Sequence, residues 1–315
     1  MKNTFQYISS TVLWNGMFIF GILCYGSHVP LLTACKENGE VPFNVSVTVL
    51  CIESLKLLLS LLAAFRNGEF HVSSWKQCIL FSLPAVLYTI NHNLVVHIQS
   101  YIDPASYQVL SNLKIATTVI LYRVFLKRQI PWKKWVSFAL ITLAATFNSY
   151  GGLLSSKSSS YSIKIFVTPT GIILVLTYCC ISAFASIYTE YILKTQVKFS
   201  FTVQSVMFYF SGVVVNIITV FAKFYYFSGS KDSTNGDLFK GFSFWTFLII
   251  ISQAFSGIIN GYIMKQASNL TRLLMVAASM LMSTTLLVFF FRLEFNEYFI
   301  TAFLLVIVAM VIYHR

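Results

Sequence analysis

Charge is what this sequence has least of. Only 10% of its 315 residues are Asp, Glu, Lys or Arg, against 57% hydrophobic residues, and the mean hydropathy is +0.74. A soluble domain carries about 25% charged residues because its surface must be solvated. This chain cannot cover such a surface, so two soluble domains are excluded although the length would allow them. Chemistry-bearing motifs are missing as well. The six cysteines (Cys24, Cys35, Cys51, Cys78, Cys179 and Cys180) include no Cys-x-x-Cys pair, which leaves neither a disulfide framework nor a zinc site indicated. Five of them fall in apolar runs, and only Cys35 reads as a loop residue. There is no His-Glu-x-x-His, and His92 and His97 are five apart, on different helix faces. No Gly-x4-Gly-Lys-[Ser/Thr] loop occurs, so ATP is not the energy source. Nothing calls for a metal, a cofactor or an enzymatic reaction. The net charge of +12 forms no contiguous basic stripe, which argues against nucleic acid.

What is present is apolar length. Runs of about 20 apolar residues mark membrane-spanning helices. Ten occur: roughly 12–32, 44–65, 77–98, 104–126, 133–151, 168–190, 200–227, 241–264, 270–291 and 297–313. The expected fold is therefore an all-α integral membrane protein of ten transmembrane helices, forming one transporter domain over residues 1–315. The first run lacks a basic segment before it and reads as a retained helix, not a cleaved signal. The longest connections, 152–167 and 228–240, cannot hold an enzyme, a receptor head or an ATPase.

The Lys and Arg residues encode orientation. One side holds 12: Lys2, Arg66, Lys76, Lys127, Arg128, Lys133, Lys134, Lys194, Lys198, Lys265, Arg272 and Arg315. The other holds 6: Lys36, Lys157, Lys164, Lys231, Lys240 and Arg292. The richer side should be cytoplasmic, with both termini on it. The poorer side carries Glu37, Glu40, Asp103, Asp232, Asp237, Glu294 and Glu297. Ten spans divide into two halves of five that enter the membrane from opposite sides, about 1–151 and 168–315. Ser111-Asn112-Leu113-Lys114 in span four corresponds to Ser268-Asn269-Leu270-Thr271-Arg272 in span nine. Inverted repeats with a site at their interface are a transporter architecture.

Charges inside the hydrocarbon region cost about 2.5–3.5 kcal/mol each on insertion scales, which makes them functional candidates. Arg123 and Lys223 lie near span ends and can snorkel. Glu53, Lys56 and Lys114 are deeper. The i,i+3 spacing of Glu53 and Lys56 puts them on one helix face, as a self-neutralised structural pair or as a gate. Lys114 has no acid in its span. Tyr107, Ser111, Lys114 and Thr118 form one polar stripe, which must face a wet cavity or bond to other helices. Arg272, Ser279 and Ser283 repeat part of that spacing in span nine. Two cations and hydroxyls on one cavity suit a phosphate, and Tyr107 offers a stacking face for a base. Asn91-His92-Asn93 interrupts span three, and Tyr188, Glu190, Tyr209 and Ser211 do the same around spans six and seven.

Several runs together resemble the nucleotide-sugar transporters, in the subfamily of the CMP-sialic acid, UDP-galactose and UDP-N-acetylglucosamine transporters. They are Glu53-Ser54-Leu55-Lys56-Leu57-Leu58-Leu59-Ser60, Asp103 through Lys114, Ile187-Tyr188-Thr189-Glu190-Tyr191-Ile192-Leu193-Lys194 and Met207-Phe208-Tyr209-Phe210-Ser211-Gly212. Tyr25-Gly26-Ser27-His28-Val29-Pro30-Leu31-Leu32, Tyr107 through Lys114 and Leu270-Thr271-Arg272-Leu273 point to the branch called probable UDP-sugar transporters. The resemblance implies the drug/metabolite transporter fold and a membrane of the Golgi, with the endoplasmic reticulum as the alternative. It also implies exchange of a cytosolic nucleotide-sugar for a nucleoside monophosphate. It implies substrate contacts at Lys114 (phosphate), Tyr107, Asn93, Tyr209 and Ser211, with Glu53 and Lys56 as the span-two pair. The chain departs from the family at Arg272, where a second phosphate lysine is expected, and at His92, Ser205, Ala183 and Ser186. Side chains at Ala183 and Ser186 replace family glycines, so a bulky hexose should fit worse than an open-chain alditol such as CDP-ribitol. A competing reading is a non-transporting member that serves as a membrane partner of an active transporter or glycosyltransferase, and association with itself or related transporters is a further expectation.

Overall fold

The computed structural model describes residues 2–36, 41–69, 75–98, 100–157, 167–227, 239–291 and 296–314. Of the charges assigned to loops above, Lys164, Lys231, Arg292, Arg315, Glu37, Glu40, Asp232, Asp237 and Glu294 lie outside the described residues. The described residues form the helices α1 (Lys2–Gly26), α2 (His28–Cys35), α3 (Val45–Arg66), α4 (Trp75–Ile98), α5 (Pro104–Leu110), α6 (Leu113–Leu126), α7 (Trp132–Lys157), α8 (Pro169–Thr195), α9 (Phe201–Phe227), α10 (Phe244–Gln266), α11 (Asn269–Phe291) and α12 (Glu297–His314). Only one isolated bridge, Ile102 with Val167, has β character among the described residues.

Local chemistry explains the helix starts. At several entries a polar side chain satisfies amide donors that a first turn leaves open. Asp103 accepts from the amide of Ser106, and Thr168 from that of Gly171, each followed by a proline at the first helical position. Asn44 caps α3, Ser243 and Thr246 form a reciprocal cap on α10, and the amide of Thr271 donates to Ser268 Oγ at the start of α11. Helix ends use left-handed residues: Gly68 (φ 66°) after α3 and Lys127 (φ 50°) after α6.

Two expected spans are each built from two helices. α1 and α2 abut at Ser27, and the second of them runs on to Cys35. Cys35 is therefore not a loop residue: it ends α2, is buried, and lies 3.8 Å from the hydroxyls of Ser243 and Thr246. α5 and α6 are separated by Ser111 and Asn112, where hydrogen bonds tighten from i,i+4 to i,i+3 (Asn112 N–H to Val109 O, Lys114 N–H to Ser111 O). The Asn112 amide is drawn into α7, donating to Ala145 O at 3.0 Å and Ser149 Oγ at 2.9 Å.

Nine segments among the described residues are long and apolar enough to cross a bilayer. α7 is the tenth rod, with 26 residues but lower hydropathy. Its polar residues point inward: Ser137 donates to Ala309 O, Asn148 accepts from Thr284, and Ser149 accepts from Asn112. The polarity that dilutes α7 is spent on helix–helix bonds, as a bilayer requires. The outer surface is apolar, with Phe221, Phe289, Phe290, Ile218 and Leu62 all exposed, while Gln204, Glu190, Asn269 and Ser186 are buried inside.

The helix pairings follow a rule. α7 lies along α12 and α3 along α9. α6 packs on α8 as α1 does on α11, α4 on α8 as α10 on α1, and α4 on α9 as α10 on α3. Each of these pairings is recovered by exchanging every rod for the one five places along, whereas lesser contacts such as α10 with α11 and α7 with α11 have no counterpart of similar extent.

Candidate functional site

A cavity of about 250 Å³ opens among α3, α4, α8, α9 and α10, with Arg272 of α11 at its edge. Four of the sequence-selected residues line it: Glu53, Lys56, Tyr209 and Arg272. Sequence reasoning missed Tyr88, Asn216 and Asn260, which also line it, while His92 and Ser205, named above as departures from the family, lie in its wall. The available signal was the same as for Lys114, a polar residue interrupting an apolar run. The buried Oδ1 of Asn260 has no hydrogen-bond partner among the described residues. An unpaired amide oxygen in a cavity wall is open to a ligand donor or water.

Glu53 and Lys56 form an ion pair one helical turn apart, and Lys56 Nζ also stands 4.9 Å from the centroid of the Tyr209 ring. Glycines make room for the pair. A Cβ on Gly212 would meet Glu53 Oε2 at 2.9 Å, and one on Gly257 would meet Lys56 Cδ at 2.8 Å. The pair is thus clasped where α3 crosses α9 and α10.

Lys114 is different. It is half-buried, and among the described residues no carboxylate or hydrogen-bond acceptor is paired with its ammonium. It lies within electrostatic reach of Arg272, Tyr25 and Tyr178. Arg272 donates from Nε to Asn269 Oδ1 at 2.7 Å, and its Nη groups take no hydrogen bond among the described residues. Two cations therefore face each other's field with no acid between them. Tyr88 stands beside Thr189, also within reach of Arg272.

A second cavity, of about 280 Å³, has Tyr25 in its wall. Its lining is neutral: Tyr25, His28, Gln108, Asn148, Gln253, Ser279, Ser283 and Thr284 with apolar residues between. His28 Nδ1 and Gln253 Nε2 are buried there without partners among the described residues.

Lys114 lines neither cavity, and the other expected contacts are not brought to one either. Tyr107 packs edge-on against Tyr178 at 5.9 Å, in an apolar cluster with Ile98 and Ile102. The stripe from Tyr107 to Thr118 is interrupted by the α5–α6 break, and its hydroxyls bond to their own helices, Ser111 to Gln108 O and Thr118 to Lys114 O. Asn93 donates to Thr89 O, and Ser211 to Met207 O. Ala183 and Ser186 are 0% and 2% exposed and line neither cavity, so the volume they add does not narrow a sugar pocket. The steric argument for an alditol over a hexose therefore falls.

Residues 31–314 match the family model for nucleotide-sugar transporters. The chain belongs to the nucleotide-sugar transporter family. It is 39% identical to the probable UDP-sugar transporter protein SLC35A4 of Xenopus tropicalis, over 96% of this chain and 92% of that one. It is 34% identical to the human protein of the same name, over 96% and 94%. A crystal structure with 12% sequence identity superposes with a TM-score of 0.66, covering 94% of both chains, and shares the fold. The family consists of multi-pass membrane transporters and not enzymes, in agreement with the helices described above.

Proposed function

We propose that this protein is a Golgi antiporter that exchanges a pyrimidine nucleotide-sugar for a nucleoside monophosphate. The observation that carries the proposal is the pair Lys114 and Arg272, two cations on apolar helices, within each other's electrostatic reach and without an acid partner among the described residues. Such charges are held against a cost of several kcal/mol, which a bound phosphate offsets through charge-assisted hydrogen bonds. Substrate and counter-substrate share the phosphate, so one cation pair serves both directions of exchange. The relatives' names favour a UDP-sugar, with a CDP-alditol such as CDP-ribitol as the further ligand to test. The two halves, 1–151 and 168–315, act as inverted repeats, which the five-place exchange of helix pairings supports. Alternating access would follow from rocking one repeat against the other about the cation pair.

The second cavity's neutral amides and hydroxyls suit the hydroxyls of the sugar, and the first cavity's Tyr209, Asn260 and Asn216 suit the nucleoside. Both termini are assigned to the cytosol by the Lys and Arg distribution. The test is purified protein in vesicles loaded with UMP or CMP, presented with a panel of nucleotide-sugars and CDP-ribitol. Exchange that requires the internal nucleotide supports the antiporter. Uptake of none of them, by protein that is folded, rejects it in favour of a non-transporting membrane partner.

A further inference from the structure

Arg272 reaches its cavity from the first turn of α11, and that turn is fastened by a buried relay that neither cavity contains. Asn269 is 0% exposed, and every polar group of its side chain is used. Its Oδ1 accepts from Arg272 Nε at 2.7 Å, and its Nδ2 donates to Ser186 Oγ at 2.9 Å. Its backbone amide donates to Glu190 Oε2 at 2.8 Å. Glu190, 1% exposed, is held in turn by Lys194 Nζ at 2.7 Å and Tyr122 OH at 3.2 Å, both on Oε1. Lys194 also donates to Ala267 O, just before α11.

Charge accounting explains why this arrangement suits an anion site. Glu190 is the acid nearest the start of α11, and by itself it would weaken anion binding at Arg272. Lys194 neutralises it, and its remaining oxygen is committed to an amide that a helix start leaves open. Asn269 is neutral, so it orients the guanidinium without cancelling its charge. With Nε engaged, the plane of the fork is fixed and the Nη groups remain for a ligand. A lysine has no Nε, so this relay is specific to the arginine found here.

We propose that Asn269 is a positioning residue for Arg272, seated by Ser186 and Glu190, and that it sets the affinity for the phosphate of the transported nucleotide. The proposal rests on the reading of Arg272 as part of the anion site. The test compares Asn269→Ala in the wild-type and Arg272→Lys backgrounds, using UMP-driven exchange in vesicles and reading KM and kcat separately. In the wild-type background KM for UMP should rise roughly tenfold with a smaller change in kcat, the loss expected for one hydrogen bond to a charged group. In the Arg272→Lys background KM should not rise further, because no Nε remains to be held. Equal factors in both backgrounds would overturn the relay and leave Asn269 a helix-packing residue. Should Asn269→Ala fail to fold, Ser186→Ala carries the same comparison, with an expected rise of about threefold in the wild type alone and the same overturning result. Unchanged KM in Arg272→Ala would instead defeat the anion site itself, and the relay with it.

Discussion

Gly257 of α10 lies so close to Lys56 of α3 that a Cβ there would come within 2.8 Å of Lys56 Cδ and 3.3 Å of its Nζ. Gly212 of α9 stands in the same relation to Glu53 on the other side, at 2.9 Å from Oε2. The contact at Gly257 falls on the stem of the lysine, and that at Gly212 on the far end of a flexible side chain. Gly257→Ala should therefore impair the protein more than Gly212→Ala, by about 1–3 kcal/mol where overpacking forces a shift. Thermal stability of the two purified variants checks the order, and the reverse order would show that the clasp is not rigid.

The ion pair itself separates a structural role from a gating one. Lys56 is buried and Glu53 half-buried, so Lys56→Ala leaves a carboxylate uncompensated and should cost about 3–5 kcal/mol. Replacing both together (Glu53→Gln with Lys56→Met) removes the charges without stranding either and should restore folding. If the double variant also restores exchange, the pair is structural. If it folds but does not transport, the pair takes part in opening the cavity it lines.

Lys114 is predicted to divide stability from function. It has no acid partner among the described residues, so Lys114→Met removes a cost and leaves no orphan. Thermal stability should be unchanged or higher, while affinity for UMP falls about 10–150-fold with the loss of a charge-assisted contact worth roughly 1.5–3 kcal/mol. Wild-type exchange by this variant would remove Lys114 from the site.

The fold was legible in the sequence because the bilayer imposes a simple rule: about 20 apolar residues per crossing. All ten runs became rods, and α7, diluted by Ser137, Asn148 and Ser149, was still found because its length survived. The breaks at Ser27 and Ser111–Asn112 were not found, since neither Gly nor Pro marks the second of them and its cause is Asn112 reaching into α7. Cost alone singled out Lys56 and Lys114 in the sequence, and of these Lys56 lines the first cavity. Hydroxyls were not legible in this way, because a serine in an apolar helix can bond its own backbone as Ser111 and Ser211 do. Tyr88 and Asn260 were hidden because only the packing of α4 against α9 and of α10 against α3 turns them toward one space.

The two glycosylation sequons give a topological prediction. Asn269 precedes Leu270 and Thr271, yet its amide is buried in the relay to Arg272 and is assigned to the cytosolic side. Asn44 precedes Val45 and Ser46, and its Oδ1 accepts the amides of Ser46 and Val47 at the start of α3. Neither side chain should carry glycan, and glycosidase treatment of protein from a secretory membrane should leave its mobility unchanged. Tags at both termini should be reached by antibody once the plasma membrane alone is permeabilised. A glycan on Asn269, or tags that need Golgi permeabilisation, would invert the assigned orientation.

The neutral lining of the second cavity predicts which sugars are refused. No Lys, Arg, Asp or Glu contributes to it, and the polar groups nearest to hand are Gln108, Gln253, Asn148, His28 and the hydroxyls of α11. These can hydrogen-bond sugar hydroxyls, but a sugar carboxylate buried there would lack a cation, a loss of about 2–3 kcal/mol or roughly 30–150-fold in affinity. UDP-hexoses and CDP-ribitol should therefore compete for exchange far better than CMP-sialic acid or UDP-glucuronate. The comparison of UDP-glucose with UDP-glucuronate is the sharper one, because base and diphosphate are the same and only the acid differs. Gln253→Arg, which puts a cation in the wall, should narrow that gap while leaving UMP exchange in place. Efficient exchange of UDP-glucuronate by the wild-type protein would show that the sugar does not enter this cavity.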